Sequence, residues 1–224
     1  MKKLVIVGAG EFAHIAYEYF THDSDYKVVG FAVEKTFITN PTLVGLPVIP
    51  VEEMENIFSP EAHAAFVAVT FTQLNRVRTR LYRMMKEKGY KLANYISSRA
   101  FVWRNVILGE NIFVFENNVI QPFVTIGNNV VLWSGNHIGH QSVVQDNCFI
   151  SSYVVVSGYC TIGENSFLGV NTTISDHITI AKDNFTRPAT VITKNTEENT
   201  MYDGNPAVAL KVPTRRFFKI AESL

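Results

Sequence analysis

An aliphatic residue stands at every sixth position of residues 120–150, IQPFVTIGNNVVLWSGNHIGHQSVVQDNCFI. The spacing extends in both directions, over residues 108–180, and slips at Thr186. A period of six is typical of neither an α-helix nor an alternating β-strand. It predicts a triangular coil in which each side is one short strand and one turn. We expect the aliphatic side chains to point inward and to stack about 4.8 Å from their equivalents in the next coil.

The residues between the aliphatic positions have the chemistry of tight turns. Glycine follows the aliphatic residue directly in several repeats, and asparagine recurs three positions after it, where it tolerates turn geometry. Three hexapeptides, about eighteen residues, complete one coil. The two cysteines, Cys148 and Cys160, therefore fall on different sides of the coil, and we expect neither a disulfide nor a metal site from them.

Residues 1–98 follow a different pattern, in which apolar strands alternate with helices. The first apolar run, residues 4–7, leads into GAGEFA at residues 8–13, a G-x-G-x-x-A turn, and then into an amphipathic helix. This alternation predicts a small parallel α/β sheet. The glycines of such a turn let a phosphate approach backbone N–H groups at a helix N-terminus. A dinucleotide needs two such halves, and only about four strands fit here, so the pattern indicates a site for one nucleotide; a tight turn without a ligand is the alternative.

The charge balance narrows the classes of partner. Twenty basic residues match twenty acidic ones, and no run of like charge occurs. This argues against a nucleic-acid or anionic-membrane surface, which needs clustered lysine and arginine. No segment approaches the ~20 apolar residues that cross a bilayer, and the first apolar run is too short for a signal peptide. We therefore expect a cytoplasmic protein with neither nucleic acid nor membrane as a partner.

The repeat, over roughly residues 100–212, resembles the hexapeptide-repeat family. PATVITK at residues 188–194 and MYDGNPA at residues 201–207 resemble the coenzyme A signature of that family. The whole chain resembles the bacterial sugar N-acetyltransferases that act on UDP-, dTDP- or GDP-linked amino sugars, with the sialic acid O-acetyltransferases as relatives. The resemblance implies an α/β half-Rossmann domain for the nucleotide sugar (1–98), a left-handed parallel β-helix (99–212) and a short C-terminal helix (213–224).

The same resemblance implies a function and its partners. Acetyl-CoA would be the cosubstrate, and a nucleotide-linked amino-dideoxy sugar of surface polysaccharide or glycan biosynthesis would be the acceptor. The assembly would be a homotrimer with active sites between subunits. Aromatic residues at outward positions fit such an assembly, because exposed apolar faces need partners: Phe123, Trp133, Phe149, Tyr153 and Phe167. No residue separates an amine from a hydroxyl acceptor, so an O-acetyltransferase acting on sialic acid or another sugar remains an alternative.

The most informative stretch for catalysis is LWSGNHIGHQ, residues 132–141. It resembles the catalytic segment of the subfamily, whose general base is a histidine usually followed by a carboxylate. That base falls on His140, and Gln141 stands where the carboxylate would be. Imidazole is well suited to accept a proton from an amine near neutral pH, and Gln141 could fix its tautomer without adding charge. Gly158 is one coil further on, so we expect its backbone N–H to serve as the oxyanion donor.

The remaining site residues follow from the same resemblance and from the position of strand ends. Ligands bind open α/β sheets at the carboxyl ends of the strands. The residues expected to bind the nucleotide sugar are Gly8, Ala9, Gly10, Glu34, Thr70, Asn75, Asn136 and His137. Those expected at coenzyme A are Phe149, Val170, Pro188, Ala189, Lys194 and Lys211.

Other functions were weighed against these residues. A γ-class carbonic anhydrase shares the β-helix and binds zinc through three histidines, for which His137, His140 and His177 could be offered. It has no use for a nucleotide domain, and we expect no metal. A nucleotide sensor or assembly scaffold without catalytic activity and an NAD-linked enzyme are the remaining alternatives.

Overall fold

The structure, a computed structural model, describes residues 1–206 and 208–220. The chain forms two compact units. The first comprises Met1–Thr70 and Val77–Tyr95, and the second comprises Phe71–Arg76 and Ile96–Leu224. The boundary thus lies three residues before the predicted one, and six residues that interrupt the first unit belong to the second, which no sequence pattern indicated. No helix in the described part of the chain has the length and apolar character needed to cross a bilayer.

The first unit is the predicted α/β sheet, with parallel pairing throughout except at one edge. Its six strands lie in the order β3-β4-β2-β1-β5-β6, and only β3 and β4 pair antiparallel. The central strand β1 is buried along residues 4–7, as expected for a parallel strand covered on both faces. The elements are β1 (Lys2–Val7), α1 (Glu11–His22), β2 (Tyr26–Val33), β3 (Thr42–Leu43), β4 (Leu46–Pro50), α2 (Met54–Ile57), β5 (His63–Val67), α3 (Arg76–Glu87) and β6 (Lys91–Leu92).

The second unit is the predicted left-handed parallel β-helix. Each coil takes eighteen residues, so that Phe113 pairs with Val131, and Val131 with Phe149. Three parallel sheets result, with orders β7-β10-β13-β16-β19-β22, β8-β11-β14-β17-β20-β23 and β9-β12-β15-β18-β21. The two-residue strands are β7 (Tyr95–Ile96), β8 (Phe101–Val102), β9 (Ile107–Leu108), β10 (Phe113–Val114), β11 (Val119–Ile120), β12 (Thr125–Ile126), β13 (Val131–Leu132), β14 (His137–Ile138), β15 (Val143–Val144), β16 (Phe149–Ile150), β17 (Val155–Val156), β18 (Thr161–Ile162), β19 (Phe167–Leu168), β20 (Thr173–Ile174), β21 (Thr179–Ile180), β22 (Phe185–Thr186) and β23 (Val191–Ile192).

The second residue of these strands points into the coil and forms its core. Thr186 occupies that position in β22, where the sequence repeat slips, and it is fully buried. Its Oγ1 lies 2.8 Å from Oγ1 of Thr172 and accepts the backbone N–H of Gly169 at 3.1 Å. A buried hydroxyl that finds such partners avoids the cost of desolvation, and this explains why the coil continues through a polar residue. Both cysteines are buried and free, as predicted.

One outward face of the β-helix is covered by its own unit, which corrects part of the sequence-based expectation. Phe149 and Phe167 are only 3% and 9% exposed. Phe71, from the segment that interrupts the first unit, packs against them with ring centroids 5.3 and 4.5 Å away. Trp133 is half-buried and stacks on Phe115. Of the five aromatic residues predicted to face outward, only Phe123 and Tyr153 are largely exposed, at 62% and 61%.

The C-terminal part of the chain completes the second unit. It comprises β24 (Thr200–Asp203), β25 (Val208–Pro213), which pairs antiparallel with β24, and α4 (Thr214–Phe217). The rings of Phe217 and Phe218 pack on Phe185 of β22. Ala207, the last residue of the predicted coenzyme A signature, lies outside the described residues, as do residues 221–224 of the predicted helix.

A buried carboxylate ties three segments of this unit together. The side chain of Asp183 is 1% exposed and accepts hydrogen bonds from two arginines. Arg76, at the end of the interrupting segment, donates at 2.5 Å, and Nε of Arg215, in α4, donates at 2.8 Å. A carboxylate this deeply buried is stable only when it is paired, so the cluster holds the interrupting segment and the C-terminal helix to the coil.

Candidate active site

His140 lies at a corner of the β-helix, two residues beyond β14, and its side chain is exposed. The next residue, Gln141, has a φ of 55°, and its equivalents in the following coils, Tyr159 and His177, have φ of 57° and 60°. The three therefore make the same left-handed turn and form a column along the corner. Gly158 and Asp176 are the equivalents of His140 in those coils. Gly158, which has no side chain, lies directly beside the imidazole.

The imidazole of His140 lies over the α-carbon of Gly158. A β-carbon added to Gly158 would be 2.7 Å from Cε1 and 2.9 Å from Nε2 of the ring. Tyr159 meets the ring edge-on, at a centroid distance of 5.2 Å and an angle of 84°. Tyr159 in turn stacks on His177, whose Nδ1 lies 3.0 Å from Oδ2 of Asp176. Any side chain at residue 158 would therefore have to displace the imidazole from this position.

The polar partner of His140 is Gln121, in place of the predicted Gln141. Oε1 of Gln121 accepts the backbone N–H of His140 at 2.9 Å and lies 3.2 Å from its Nδ1. Gln141 is exposed at the turn, and no hydrogen bond joins its side chain to the ring among the described residues. The catalytic role predicted for Gln141 stays a prediction. The coil period could have found Gln121, because it stands one coil before Gly139, the residue next to His140.

The two neighbouring residues predicted to bind substrate differ in access. Asn136 is 1% exposed, and both ends of its amide are used inside the coil. Its Nδ2 donates to the carbonyl of Trp133 at 2.5 Å, and its Oδ1 accepts the N–H of Val154 at 2.7 Å. Asn136 is thus a turn residue of the β-helix, which corrects its assignment to the substrate. His137 is half-buried on β14 and keeps its place as a candidate.

The backbone of Gly158 fits its predicted role. Its carbonyl accepts the N–H of His177 at 3.0 Å, but its own N–H meets no acceptor in residues 1–206 and 208–220. That N–H belongs to the residue over which the imidazole lies. A donor without an internal partner, next to a candidate base, has the arrangement that an oxyanion site needs.

A second candidate site lies entirely within the first unit. A pocket of about 330 Å³ opens at the carboxyl ends of β1, β2 and β5. Gly8 has a φ of 131°, and a β-carbon there would be 2.6 Å from the carbonyl oxygen of Ala68, so only glycine fits. A β-carbon at Gly10 would meet no atom within 4 Å. The residues that line the pocket include the predicted Gly8, Ala9, Gly10, Glu34 and Thr70.

Glu34, which lines this pocket, forms an ion pair with Arg80 that the sequence did not indicate. Nη1 and Nη2 of Arg80 donate to Oε1 and Oε2 of Glu34 at 3.0 and 2.9 Å. This bidentate contact, led by the hydrogen bond to Glu34, raises the pKa of Arg80 above its usual value. The pair keeps the Glu34 carboxylate in place just after β2, where a carboxylate can accept hydrogen bonds from the hydroxyl groups of a ribose. Phe37, which is 65% exposed, lines the same pocket and offers a ring face.

Asn75 does not share this pocket, although Thr70 does. It is buried in the second unit, where its Nδ2 donates to the carbonyl of Asn165 at 3.1 Å. The sequence suggested one ligand-binding loop after β5. The structure divides that loop, because the residues from Phe71 onward are held by the β-helix. The assignment of Asn75 to the nucleotide sugar is therefore corrected.

The residues predicted at coenzyme A lie on several elements of the second unit. Val170, Pro188 and Ala189 lie together and are exposed, with the N–H of Ala189 donating to the carbonyl of Val170 at 2.8 Å. The ring of Phe149 is covered by Phe71, and the role predicted for this residue concerns its backbone groups and stays a prediction.

The two lysines are both exposed. Lys211 lies on β25. Lys194 follows β23 by two residues, as His140 follows β14, so it stands on the same corner three coils further along.

Comparison with protein families supports the predicted repeat. The model for bacterial transferase hexapeptide (six repeats) matches residues 123–158 and 141–176. A search of curated protein sequences gave no match.

Comparison with solved structures covers nearly the whole chain. PerB from Caulobacter crescentus, solved with CoA and GDP-perosamine, has a TM-score of 0.82 and 24% identity, over 93% of this chain and 97% of that one. The acetyltransferase domain of PglB from Neisseria gonorrhoeae has a TM-score of 0.84 and 25% identity, over 94% and 100%. The same domain with acetyl coenzyme A has a TM-score of 0.63 and 23% identity, over 93% and 99%. Both predicted parts of the fold therefore occur together in known acetyltransferases.

Proposed function

We propose that this chain is an acetyl-CoA-dependent N-acetyltransferase that acts on a nucleotide-linked amino sugar, with His140 as its general base. The observation that carries the proposal is the exposed imidazole of His140, held over Gly158 at a corner of the β-helix. Imidazole is the side chain best suited to accept and release a proton near neutral pH. The likeness to PerB and to the PglB domain supports the same chemistry.

The reaction follows from this arrangement. The neutral amine of the sugar attacks the thioester carbonyl carbon, a C–N bond forms, and Nε2 of His140 takes the amine proton. The carbonyl oxygen becomes an oxyanion, to which the N–H of Gly158 donates. The C–S bond then breaks, and the departing coenzyme A thiolate receives the proton from the imidazolium.

The pocket of the first unit is the proposed site of the nucleotide. The N-terminus of α1 follows Gly8, Ala9 and Gly10, and helix N-termini attract phosphate groups. The Glu34 carboxylate accepts hydrogen bonds from the ribose hydroxyl groups, and Thr70 also lines the pocket. PerB was solved with GDP-perosamine, a sugar nucleotide, which supports this class of ligand.

Acetyl-CoA is the proposed acetyl donor, in agreement with the CoA and acetyl-CoA complexes of the structural relatives. The exposed group of Val170, Pro188 and Ala189 offers a surface for the pantetheine. Lys194 and Lys211 are the proposed partners of the phosphates.

We also propose a homotrimer with its active sites between subunits. Phe123 and Tyr153 are more than 60% exposed on the β-helix, and apolar faces of this kind need a partner. Light scattering should give three chains of 25.2 kDa, or 75.6 kDa. A mass of 25.2 kDa at micromolar concentration would contradict the trimer.

The central experiment measures thiol release from acetyl-CoA with a series of UDP-, dTDP- and GDP-linked amino sugars, and with sialic acid as a hydroxyl acceptor. His140→Ala should lower kcat by about 10²–10⁴-fold, the usual contribution of a general base. His137→Ala is the matched comparison and should lower kcat by less than about tenfold. Near-full kcat for His140→Ala would overturn the assignment of the base. Thiol release with sialic acid alone would replace the amine by a hydroxyl acceptor.

The nucleotide site is tested separately with Gly10→Val. The new side chain meets no protein atom at its β-carbon, so the variant should fold, but it stands at the pocket. We expect a higher KM for the sugar nucleotide and an unchanged KM for acetyl-CoA. Equal loss of affinity for both substrates would contradict separate sites in the two units.

A further inference from the structure

We infer that Gln121 is a positioning residue that holds His140 in the Nδ1–H tautomer, so that Nε2 carries the lone pair that takes the proton. The inference rests on the proposed function of His140 as the base. The oxygen and the nitrogen of the Gln121 side-chain amide must first be told apart. A hydrogen-bond partner of known role does this.

The backbone N–H of His140 is such a partner, because it can only donate. It lies 2.9 Å from the terminal atom of the Gln121 amide, so that atom must be the oxygen. The same oxygen is 3.2 Å from Nδ1 of the imidazole. An amide oxygen can only accept, and Nδ1 must therefore carry a hydrogen. One backbone group thus fixes the tautomer of the ring through the side chain of Gln121.

The consequence concerns the other ring nitrogen. In a neutral imidazole with its hydrogen on Nδ1, Nε2 is unprotonated and can accept a proton. Imidazole free in water favours the opposite tautomer, in which Nε2 already holds a hydrogen and cannot serve as a base. Gln121 offsets that preference. Among the described residues, no hydrogen bond is made to Nε2, which leaves it to the substrate.

The other polar groups around the ring do not compete for Nδ1. Tyr159 presents its ring to the edge of the imidazole, and Gly158 lies beneath it. His177 lies beyond Tyr159 and Asp176 lies one coil beyond Gly158, and these two titratable groups of the corner contact each other. The neutral acceptor from the preceding coil is thus the group that orients the base, a task that a carboxylate performs in catalytic triads.

The test compares two substitutions of Gln121 in the full-length protein. Gln121→Met keeps the length of the side chain and removes the acceptor. Gln121→Glu keeps an acceptor and adds a negative charge. The tautomer of His140 is read from the ¹⁵N shifts of the labelled imidazoles without substrate, and its signal is identified by its loss in His140→Ala.

We expect the Nδ1–H form in the unsubstituted protein and in Gln121→Glu, and a shift to the Nε2–H form in Gln121→Met. Loss of one neutral hydrogen bond changes an equilibrium by about tenfold, so kcat of Gln121→Met should fall by about that factor with little change in KM. Gln121→Glu should retain kcat and move the acidic limb of the pH profile upward, because the carboxylate stabilises the imidazolium. Gln141→Met removes the other side chain predicted to contact the imidazole and should leave the tautomer unchanged.

An unchanged tautomer in Gln121→Met overturns the inference, whatever the activity. A shifted tautomer with an unchanged kcat also overturns it, since the tautomer would then not matter to the reaction. The proposed function fails by a different observation, the retention of full kcat in His140→Ala. The two failures are therefore distinguishable.

Discussion

Gly158→Ala should lower the activity by displacing the proposed base, His140. The β-carbon of alanine would be 2.7 Å from Cε1 and 2.9 Å from Nε2 of His140. Carbon atoms in contact prefer a separation of about 3.5 Å, so the imidazole must move by about 0.8 Å. A misplacement of ~1 Å at a reacting group can cost about 10²-fold in rate. We expect kcat to fall by about 10–100-fold, measured by thiol release from acetyl-CoA at saturating acceptor.

Two features separate this effect from misfolding and from loss of the oxyanion donor. The φ of Gly158 lies outside the left-handed region, so alanine is not strained there and the melting temperature should hardly change. Alanine also keeps the backbone N–H. In a His140→Ala background, where no imidazole remains to be displaced, Gly158→Ala should lower kcat little further. A single variant with full activity would refute the steric argument, and an equal loss in both backgrounds would assign the effect to the backbone of Gly158.

Two further predictions concern stability. Asp183→Asn should lower the free energy of unfolding in urea by about 3 kcal/mol, because it breaks a buried ion pair. Asp203→Asn breaks an exposed ion pair with Arg187 and should lower the free energy of unfolding by less than about 1 kcal/mol. Equal losses would contradict the role given to the buried cluster. Burial, with smaller contributions from nearby glutamates, raises the pKa of Tyr90 from 10.0 to about 12. The unfolded chain therefore loses this proton first as the pH rises, and stability should decline between pH 10.0 and about 12. Tyr90→Phe should reduce that decline, and an unaltered slope in the variant would exclude Tyr90 as its source.

Regular spacing explains why so much of the fold could be predicted. The inward position of each short strand repeats every six residues, and the aliphatic residues found by that period form the core of the β-helix. Thr186 is the exception, because a hydrogen bond to Thr172 substitutes for apolar packing. The period identifies the residues that point inward, because every inward position is packed in the same apolar environment.

The errors arise where residues distant in sequence meet. Phe149 and Phe167 were expected to be exposed, but Phe71, from a segment almost eighty residues before Phe149, covers them. Asn136 has the chemistry of a ligand-binding residue, and only its contacts show that both ends of its amide are engaged in the turn. No periodic pattern can report contacts of these kinds.

The candidate site was predicted unevenly for the same reason. His140 and Gly158 are related by the coil period, so the sequence could predict that they lie side by side. Gln121 is related to His140 by nearly the same period, but its role depends on the direction of one amide oxygen. Arg80 reaches Glu34 across 46 residues, a contact that requires the folded sheet.

The constant length of the coil gives this protein a scale along its axis. Three coils of about 4.8 Å each, or about 14 Å, separate the corner residue His140 from Lys194. Insertion of one complete coil between them would keep every inward and outward position and would move the lysine away by about 4.8 Å. Insertion of a single residue would instead turn every following side chain out of register. The distance between the proposed base and the proposed phosphate partner Lys194 can therefore change only in whole coils, that is, in steps of eighteen residues.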